Sequence, residues 1–352
     1  MKFNFRQPFI RRIRKPNSSI YKILRLNRAE YGHSFQLNKK KDIDQLGYYP
    51  DITVLIDSLK KFLNINKKNL LIGLGAESII KDILFFFSKQ KRRLGFLTPN
   101  YLMYNIYSKL YGYKTFSLDV NPEFPQKLTI NVLKDFIKKK NIDLFVLVNP
   151  SHPFEKNWSL KEIENLLTFC KKRNIILIVD EVYQGLGSKS SKNFIKKFDN
   201  LIIIGSLSKN LGLPSLRVGY MISTKKIIEI MESFRLAIEL PYHSIKHSSE
   251  FLQKSNFVLK TKKNIVEARK FAHVEFKKRG IKAFGNFGNS VTFKLKNKAL
   301  TKKIGNYLKK KNVIINYNYK EPFDNFLNIT TTNISNLKIF FSRLDHLKKY
   351  IS

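Results

Sequence analysis

A chain of 352 residues, 43% hydrophobic and 13% aromatic, can bury a sizeable core in about two domains, which excludes extended disorder for most of it. Lys+Arg 66 against Asp+Glu 26 gives a formal charge of +40, yet the positive residues are spread as pairs and triplets such as Lys39-Lys40-Lys41 and Lys309-Lys310-Lys311, with no zinc-finger spacing or RNA-binding aromatic motif beside them. Charged solvated faces, in a composition skewed toward Ile, Asn and Lys, are therefore favoured over a nucleic-acid surface. The single cysteine, Cys170, excludes an intrachain disulfide and any cysteine-based metal site, and its helical context reads as a buried structural thiol. Residues 1–16 are basic without the apolar core of a secretory signal, and no apolar stretch approaches the ~20 residues of a membrane span, so a reducing cytoplasm is the expected location.

In chain order, residues 1–45 carry little periodicity and read as an arm lying against the main domain or a partner subunit. From residue 68 to 221 short apolar runs alternate with helical patterns, the signature of a parallel sheet with crossover helices. The spacing predicts strands at 70–72, 94–98, 115–118, 144–148, 175–179, 201–204 and 218–222, with helices at 77–88, 101–111, 132–139 and 160–172. Near-continuous Leu, Ile and Val in the later strands imply burial on both faces. This is an α/β fold, a mainly parallel sheet with helices on both faces, assigned to a large domain over 46–235. Residues 236–352 read as a smaller α+β domain: helices to about 279, strands at 290–295, 313–315 and 326–330, and helices at 298–310 and 334–350. No internal repeat or low-complexity linker divides the chain.

In open parallel sheets ligands sit beyond the carboxyl ends of the strands, so residues just after the apolar runs are the ones that can carry chemistry. Asp180 ends one run and Lys209 comes soon after its neighbour; an acid and an amine on adjacent buried strands are what pyridoxal phosphate needs, the lysine closing a Schiff base and the aspartate keeping the pyridine nitrogen protonated. Taken singly, Asp180 could equally be a helix cap. Tyr183, just beyond it, would reach the ring hydroxyl. The segment Ser206-Leu207-Ser208-Lys209-Asn210-Leu211-Gly212-Leu213-Pro214-Ser215-Leu216-Arg217-Val218-Gly219-Tyr220 places hydroxyls, the lysine and a phosphate-gripping arginine on one loop. Gly73-Leu74-Gly75-Ala76-Glu77-Ser78, between a strand and a helix, could let backbone amides approach a phosphate or could be a plain tight turn. Tyr101, after Thr98-Pro99-Asn100, could stack on a planar cofactor or pack into the core, and Asn149-Pro150-Ser151-His152-Pro153 could hold Asn149 or His152 over a ring or be an ordinary loop.

Together these motifs resemble the fold-type I pyridoxal-phosphate aminotransferases of class I/II, most closely the histidinol-phosphate aminotransferase-like branch, over nearly the whole chain from about residue 26. The carrying segments are Ser206 to Tyr220, which is similar to the family pattern Ser-x-Ser-Lys-x-x-Gly-x-x-x-x-Arg-x-Gly, and Asp180-Glu181-Val182-Tyr183. The resemblance implies that Lys209 is the Schiff-base lysine, Asp180 the pyridine-nitrogen partner, Tyr183 the hydrogen bond to the ring oxygen and Tyr101 the ring-stacking residue. It implies that Ser206, Ser208, Arg217 and the Gly75-Ala76-Glu77 turn hold the cofactor phosphate. Tyr49, in Gly47-Tyr48-Tyr49-Pro50, resembles the tyrosine that reaches the neighbouring subunit's phosphate, which implies a homodimer with shared active sites.

Two departures accompany the agreement. The family's Asn-Pro-x-Asn-Pro-Thr-Gly reads here Asn149-Pro150-Ser151-His152-Pro153-Phe154-Glu155, placing His152 where the ring-oxygen asparagine is expected. Near the carboxyl end, Asn328 stands where the family's carboxylate-binding arginine is expected, and an amide cannot copy bidentate recognition; Arg28 or Arg343 would have to supply the cation, or the amino substrate has no ordinary α-carboxylate. The expectation is an aminotransferase that moves nitrogen between a small, anionic or phosphorylated amino donor and a keto or aldehyde acceptor, with Lys209 carrying the proton. The alternatives are a decarboxylase of a phosphorylated amino acid on the same cofactor, and a catalytically inactive basic binding protein on the same fold.

Overall fold

The computed structural model describes residues 24–27, 45–90, 93–121, 123–124, 127–153, 156–236 and 239–347. β1 (Leu24–Arg25) and α1 (Thr53–Leu63) precede the alternation that builds the large sheet. It runs β2 (Leu70–Leu74), α2 (Gly75–Phe87), β3 (Arg93–Thr98), α3 (Leu102–Leu110), β4 (Lys114–Asp119), α4 (Ile130–Lys139), β5 (Leu144–Val148), α5 (Leu160–Lys171), β6 (Ile176–Asp180), β7 (Leu201–Ser206), the short α6 (Leu207–Asn210) and β8 (Val218–Ile222). The order across the sheet is β2-β8-β7-β6-β5-β3-β4, and β8 alone runs antiparallel to its neighbours. All seven expected strands are present.

Alternation along each strand feeds two cores. In β5, Phe145 and Leu147 face a cluster closed by α1, α4 and α5, while Leu144, Val146 and Val148 face one closed by α2 and α3. The edge strand β4 is the exception that fits its place: Lys114-Thr115-Phe116-Ser117-Leu118-Asp119 is polar on alternate residues and largely solvated. Two of the crossover helices, α4 and α5, end on asparagine, whereas α3 ends on Gly112. Asn141 and Asn174 adopt φ of 47° and 54° after α4 and α5, and Ile142 and Ile175 donate back to the carbonyls of Ile137 and Cys170 at 3.1 and 3.0 Å. At the other end of α5, Ser159 and Glu162 form a reciprocal capping box.

After β8 come α7 (Lys225–Glu232), α8 (Tyr242–Gln253), α9 (Ser255–Lys278), β9 (Ala283–Phe284), β10 (Ser290–Lys294), α10 (Lys298–Lys310), β11 (Val313–Ile314), β12 (Phe326–Thr330) and α11 (Ile334–Asp345). A smaller antiparallel sheet, β12-β10-β9, carries a third core in which Phe341 packs edge to face on Phe276 and Phe340, Phe340 edge to face on Phe293, and Phe293 tilted on Phe276. α8 lies against α1 and inserts Ile245 and Leu252 into the large sheet's core, although the sequence places it with the carboxyl-terminal part. β1 pairs in parallel with β11, and Leu26 is buried among the residues of the third core. The part of the expected arm that is described thus joins the smaller sheet; residues 1–23 and 28–44 lie outside the described residues.

β8 approaches α2 so closely that a Cβ on Gly219 would stand 2.2 Å from the Gly75 carbonyl carbon. Backbone cannot give way there as a side chain could. Gly219→Ala is expected to cost about 3 kcal/mol or more, read as a lower urea midpoint at unchanged slope.

Candidate active site

β6 ends on Asp180 and β7 on Ser206, and their parallel pairing, with Asp180 in register with Ile204, carries the segments beyond them to one edge of the sheet. Asp180 is 4% exposed. The Tyr104 hydroxyl donates to its Oδ2 at 2.8 Å and the Val182 N–H to its Oδ1 at 3.1 Å. Burial outweighs both bonds and pushes the carboxyl up to about 6. Among the described residues no lysine or arginine lies close enough to offset that cost, so a cation arriving at this edge would be held by a carboxylate that needs one.

Ser206 caps α6 by accepting the Ser208 N–H at 3.1 Å, and its hydroxyl donates to the Val218 carbonyl at 3.2 Å. That differs from its expected use as a phosphate ligand: it fixes the turn of helix on which Ser208 and Lys209 ride. Lys209 Nζ lies 6.0 Å from the centre of the Tyr183 ring, and His152 stacks on the same ring at 4.6 Å and 19°. Burial, and then the Lys209 charge, push the His152 imidazole down to about 3, so it is neutral near pH 7. Lys209, Tyr183 and His152 therefore converge beside the segment that carries Asp180.

At the other end, Gly75 (φ +74°) opens α2 against Arg217, itself at φ +54°; a Cβ on Gly75 would sit 2.8 Å from Arg217 Nη2. The first-turn amides of α2 point out of the helix end and favour an anion. The Glu77 side chain is engaged elsewhere. Its carboxylate accepts the Tyr101 and Tyr107 hydroxyls at 3.1 and 3.3 Å and lies 3.9 Å from Arg217 Nη2, so only its backbone N–H suits a phosphate. A buried cluster sets the turn from behind: Arg235 donates to Asp82 at 2.8 Å, to Glu239 at 2.5 Å and to the Ile72 carbonyl at 2.9 Å, while Glu239 also accepts the Leu74 N–H at 3.2 Å.

Asn149 is corrected as a side-chain ligand. It is 1% exposed, and its amide is taken by the Trp158 carbonyl at 3.2 Å and the Trp158 N–H at 2.9 Å, which shapes the His152 loop instead. Tyr49 is 89% exposed, turned away from the core of its own chain. Asn328 is fully buried and donates to Ser290 and Thr292 at 3.1 and 2.8 Å. Of the cations expected to replace it, Arg343 is exposed in the last turn of α11 and Arg28 lies outside the described residues. Tyr104 escapes the sequence reading, although Tyr101, Tyr104 and Tyr107 recur every three residues and mark one face of α3. Ser290 escapes it for want of any local signal.

An amine on a short helix, a buried carboxylate beyond the neighbouring strand, and an arginine against a glycine-opened helix terminus fit the three ends of pyridoxal phosphate. Residues 25–344 match the family described as aminotransferase class I and II. The chain belongs to that family. It is 28% identical over 307 residues, 85% of this chain and 82% of the relative, to the histidinol-phosphate aminotransferase of Clostridium beijerinckii. The crystal structure of the Clostridium acetobutylicum histidinol-phosphate aminotransferase superposes with a TM-score of 0.80 at 21% identity, covering 93% of this chain and 99% of that one. That of the Sinorhizobium meliloti enzyme in complex with pyridoxal-5'-phosphate gives 0.82 at 17%, covering 94% and 92%. This aminotransferase is a pyridoxal-phosphate-dependent transaminase with the large-sheet and small-sheet architecture of its family.

The raised Asp180 carboxyl has a consequence for the cofactor-free aminotransferase. Between the ordinary value of 3.8 and about 6 the folded state holds a proton that the unfolded state has lost, so this group's contribution makes stability fall as pH rises through that window. The integrated effect is on the order of 3 kcal/mol. Asp180→Asn should flatten that window in chemical denaturation series run without cofactor, leaving the pH dependence from other groups in place.

Proposed function

We propose that this aminotransferase acts on a small phosphorylated amino compound of the histidinol-phosphate type, with a keto or aldehyde acceptor, as a cytoplasmic homodimer. The convergence of Lys209, Tyr183 and His152 at the sheet edge where β6 ends on Asp180 carries the reading. When bound, the cofactor supplies an electron sink for the pair left when the bond next to the substrate nitrogen is broken. Lys209 Nζ would take the proton from that carbon and deliver it to the cofactor carbon bonded to the same nitrogen, so that the nitrogen changes hands. Asp180, held by Tyr104 and the Val182 amide, would pair its negative charge with the protonated ring nitrogen. Arg217 and the α2 amides would hold the phosphate, and Tyr101, whose hydroxyl is bonded to Glu77, would pack on the ring.

Support for the substrate comes from the names of the relatives and from the fate of position 328. A fully buried amide committed to β10 offers a carboxylate nothing to bind, which fits an amino alcohol or amine bearing phosphate better than an ordinary α-amino acid. The same observation keeps decarboxylation of a phosphorylated amino acid as a second reading. The exposed Tyr49 supports a dimer in which it completes the partner's phosphate site, and residues 46–235 together with α8 make up the cofactor-binding body.

Purified protein mixed with histidinol phosphate should convert its visible cofactor absorbance to the aminated form, and a keto acid should reverse the change. Carbon dioxide released from phosphothreonine or phosphoserine without any acceptor would favour the decarboxylase instead. Lys209→Ala should remove the reducible cofactor linkage and lower turnover by at least about a thousandfold; a linkage that survives the substitution would end this assignment.

A further inference from the structure

We propose that Tyr104 is a positioning residue that settles where the proton between Asp180 and the cofactor's ring nitrogen rests: its buried hydroxyl makes Asp180 the weaker base, so the ring keeps the proton. The inference deepens the functional reading above and rests on the edge beyond β6 and β7 being the cofactor site.

Tyr104 stands on the face of α3 turned to the sheet, completely buried in the core that also takes Val148, Ile178 and Ile204. A phenol in such surroundings has to spend its proton on a neighbour, and that neighbour is Asp180 Oδ2 at 2.8 Å. Burial, and then the Asp180 charge, push the phenol well above the usual tyrosine range, so near pH 7 it is the donor. The Val182 N–H covers Oδ1 at 3.1 Å. Each carboxylate oxygen therefore has its donor, and of the two Tyr104 supplies the one that a side-chain substitution can remove.

A hydrogen bond given to the charged form favours that form. Without the phenol, the Asp180 carboxyl, already pushed up to about 6 by burial, would rise further. A carboxyl so raised competes with a pyridine nitrogen on nearly level terms, and one hydrogen bond tips such a pair. If Asp180 took the proton, acid and ring would both be neutral and the pull on the electron pair of the broken bond would fade. By lowering the proton affinity of Asp180, Tyr104 keeps the pair ionic, negative on the protein and positive on the ring.

The other titratable groups at this edge are turned to different partners. Glu181 accepts the Ser190 hydroxyl at 2.5 Å and the Ser191 hydroxyl and N–H at 2.6 and 2.7 Å. His152 Nδ1 lies 3.3 Å from Ser290 Oγ, Tyr101 donates to Glu77 at 3.1 Å, and Lys209 Nζ lies over the Tyr183 ring.

The test is Tyr104→Phe, which removes one oxygen and keeps the ring that fills the core. Without cofactor, the Asp180 carboxyl is followed by carbon-13 NMR of the full-length protein with labelled aspartate, assigned through the signal lost in Asp180→Asn. Its titration midpoint should rise by about one to two pH units in Tyr104→Phe. Site-specific replacement of Tyr104 by a fluorotyrosine, a stronger donor in the same place, should move the midpoint the other way. With pyridoxal phosphate labelled at the ring nitrogen, nitrogen-15 NMR should show a protonated nitrogen in the wild type and a shift toward the unprotonated form in Tyr104→Phe. In an Asp180→Asn background, Tyr104→Phe should leave that signal where it is. Turnover of the loaded Tyr104→Phe variant should fall about tenfold, the factor of one hydrogen bond, with KM little changed. A midpoint left in place by either change, or a ring nitrogen that keeps its proton in Tyr104→Phe, overturns the proposal. Because the midpoint is read without cofactor, it is independent of the Lys209 test, whose failure would overturn the assignment of the cofactor instead.

Discussion

The site is organised around a carboxylate that is costly to keep. Asp180 is carried to the end of a strand buried on both faces, and the protein offers it one phenol and one amide but no cation among the described residues. Water would solvate it better. That deficit is what makes a pyridinium welcome, since a buried charge left unpaired is the most unfavourable arrangement a core can contain. Other features of the edge serve the same end: Tyr104 reaches Asp180 from α3, and the neighbouring strand is capped by Ser206 so that Lys209 leaves it on a single turn of helix. The opposite rim is held by an equally buried but balanced cluster, in which Arg235 faces two carboxylates and pins the turn ahead of Gly75.

Much of this is legible in the sequence because burial writes itself into composition. Strands covered on both faces must be apolar throughout, so β5, β6, β7 and β8 stand out as runs, and the first polar residues past the end of each run occupy the sheet edge where chemistry can sit. Lys209, Asp180, Tyr183 and Arg217 are all found by that logic. Side-chain partners are harder to read, because hydrogen bonds between distant segments leave no periodicity. Asn149 and Ser206 have the right residue types in the right places, yet their polar atoms are turned to the backbones of Trp158, Ser208 and Val218. Glu77 can be placed at a helix start from its neighbours, but not shown to clasp two tyrosines. Nothing near Ser290 connects it with His152, 138 residues away.

The large positive charge has a local rather than a collective expression. Lys127 lies 4.8 Å from the centre of the Phe124 ring, Lys254 5.6 Å from Phe251 and Arg173 4.1 Å from Phe169, so cationic heads sit over aromatic faces and their stems cover apolar surface. Carboxylates are too few to pair most of the lysines. The aromatic residues take up part of that function.

The union of β1 with β11 sets an order of assembly. Leu24 to Leu26 find their places only beside Val313, Ile314 and Thr330, whereas every strand of the seven-stranded sheet lies between residues 70 and 222. During synthesis the sheet that bears Lys209 and Asp180 can close while the first residues wait for a partner that the ribosome has yet to make. His152 likewise remains without Ser290 until β10 emerges, so the acid and the amine take their positions before the imidazole is locked.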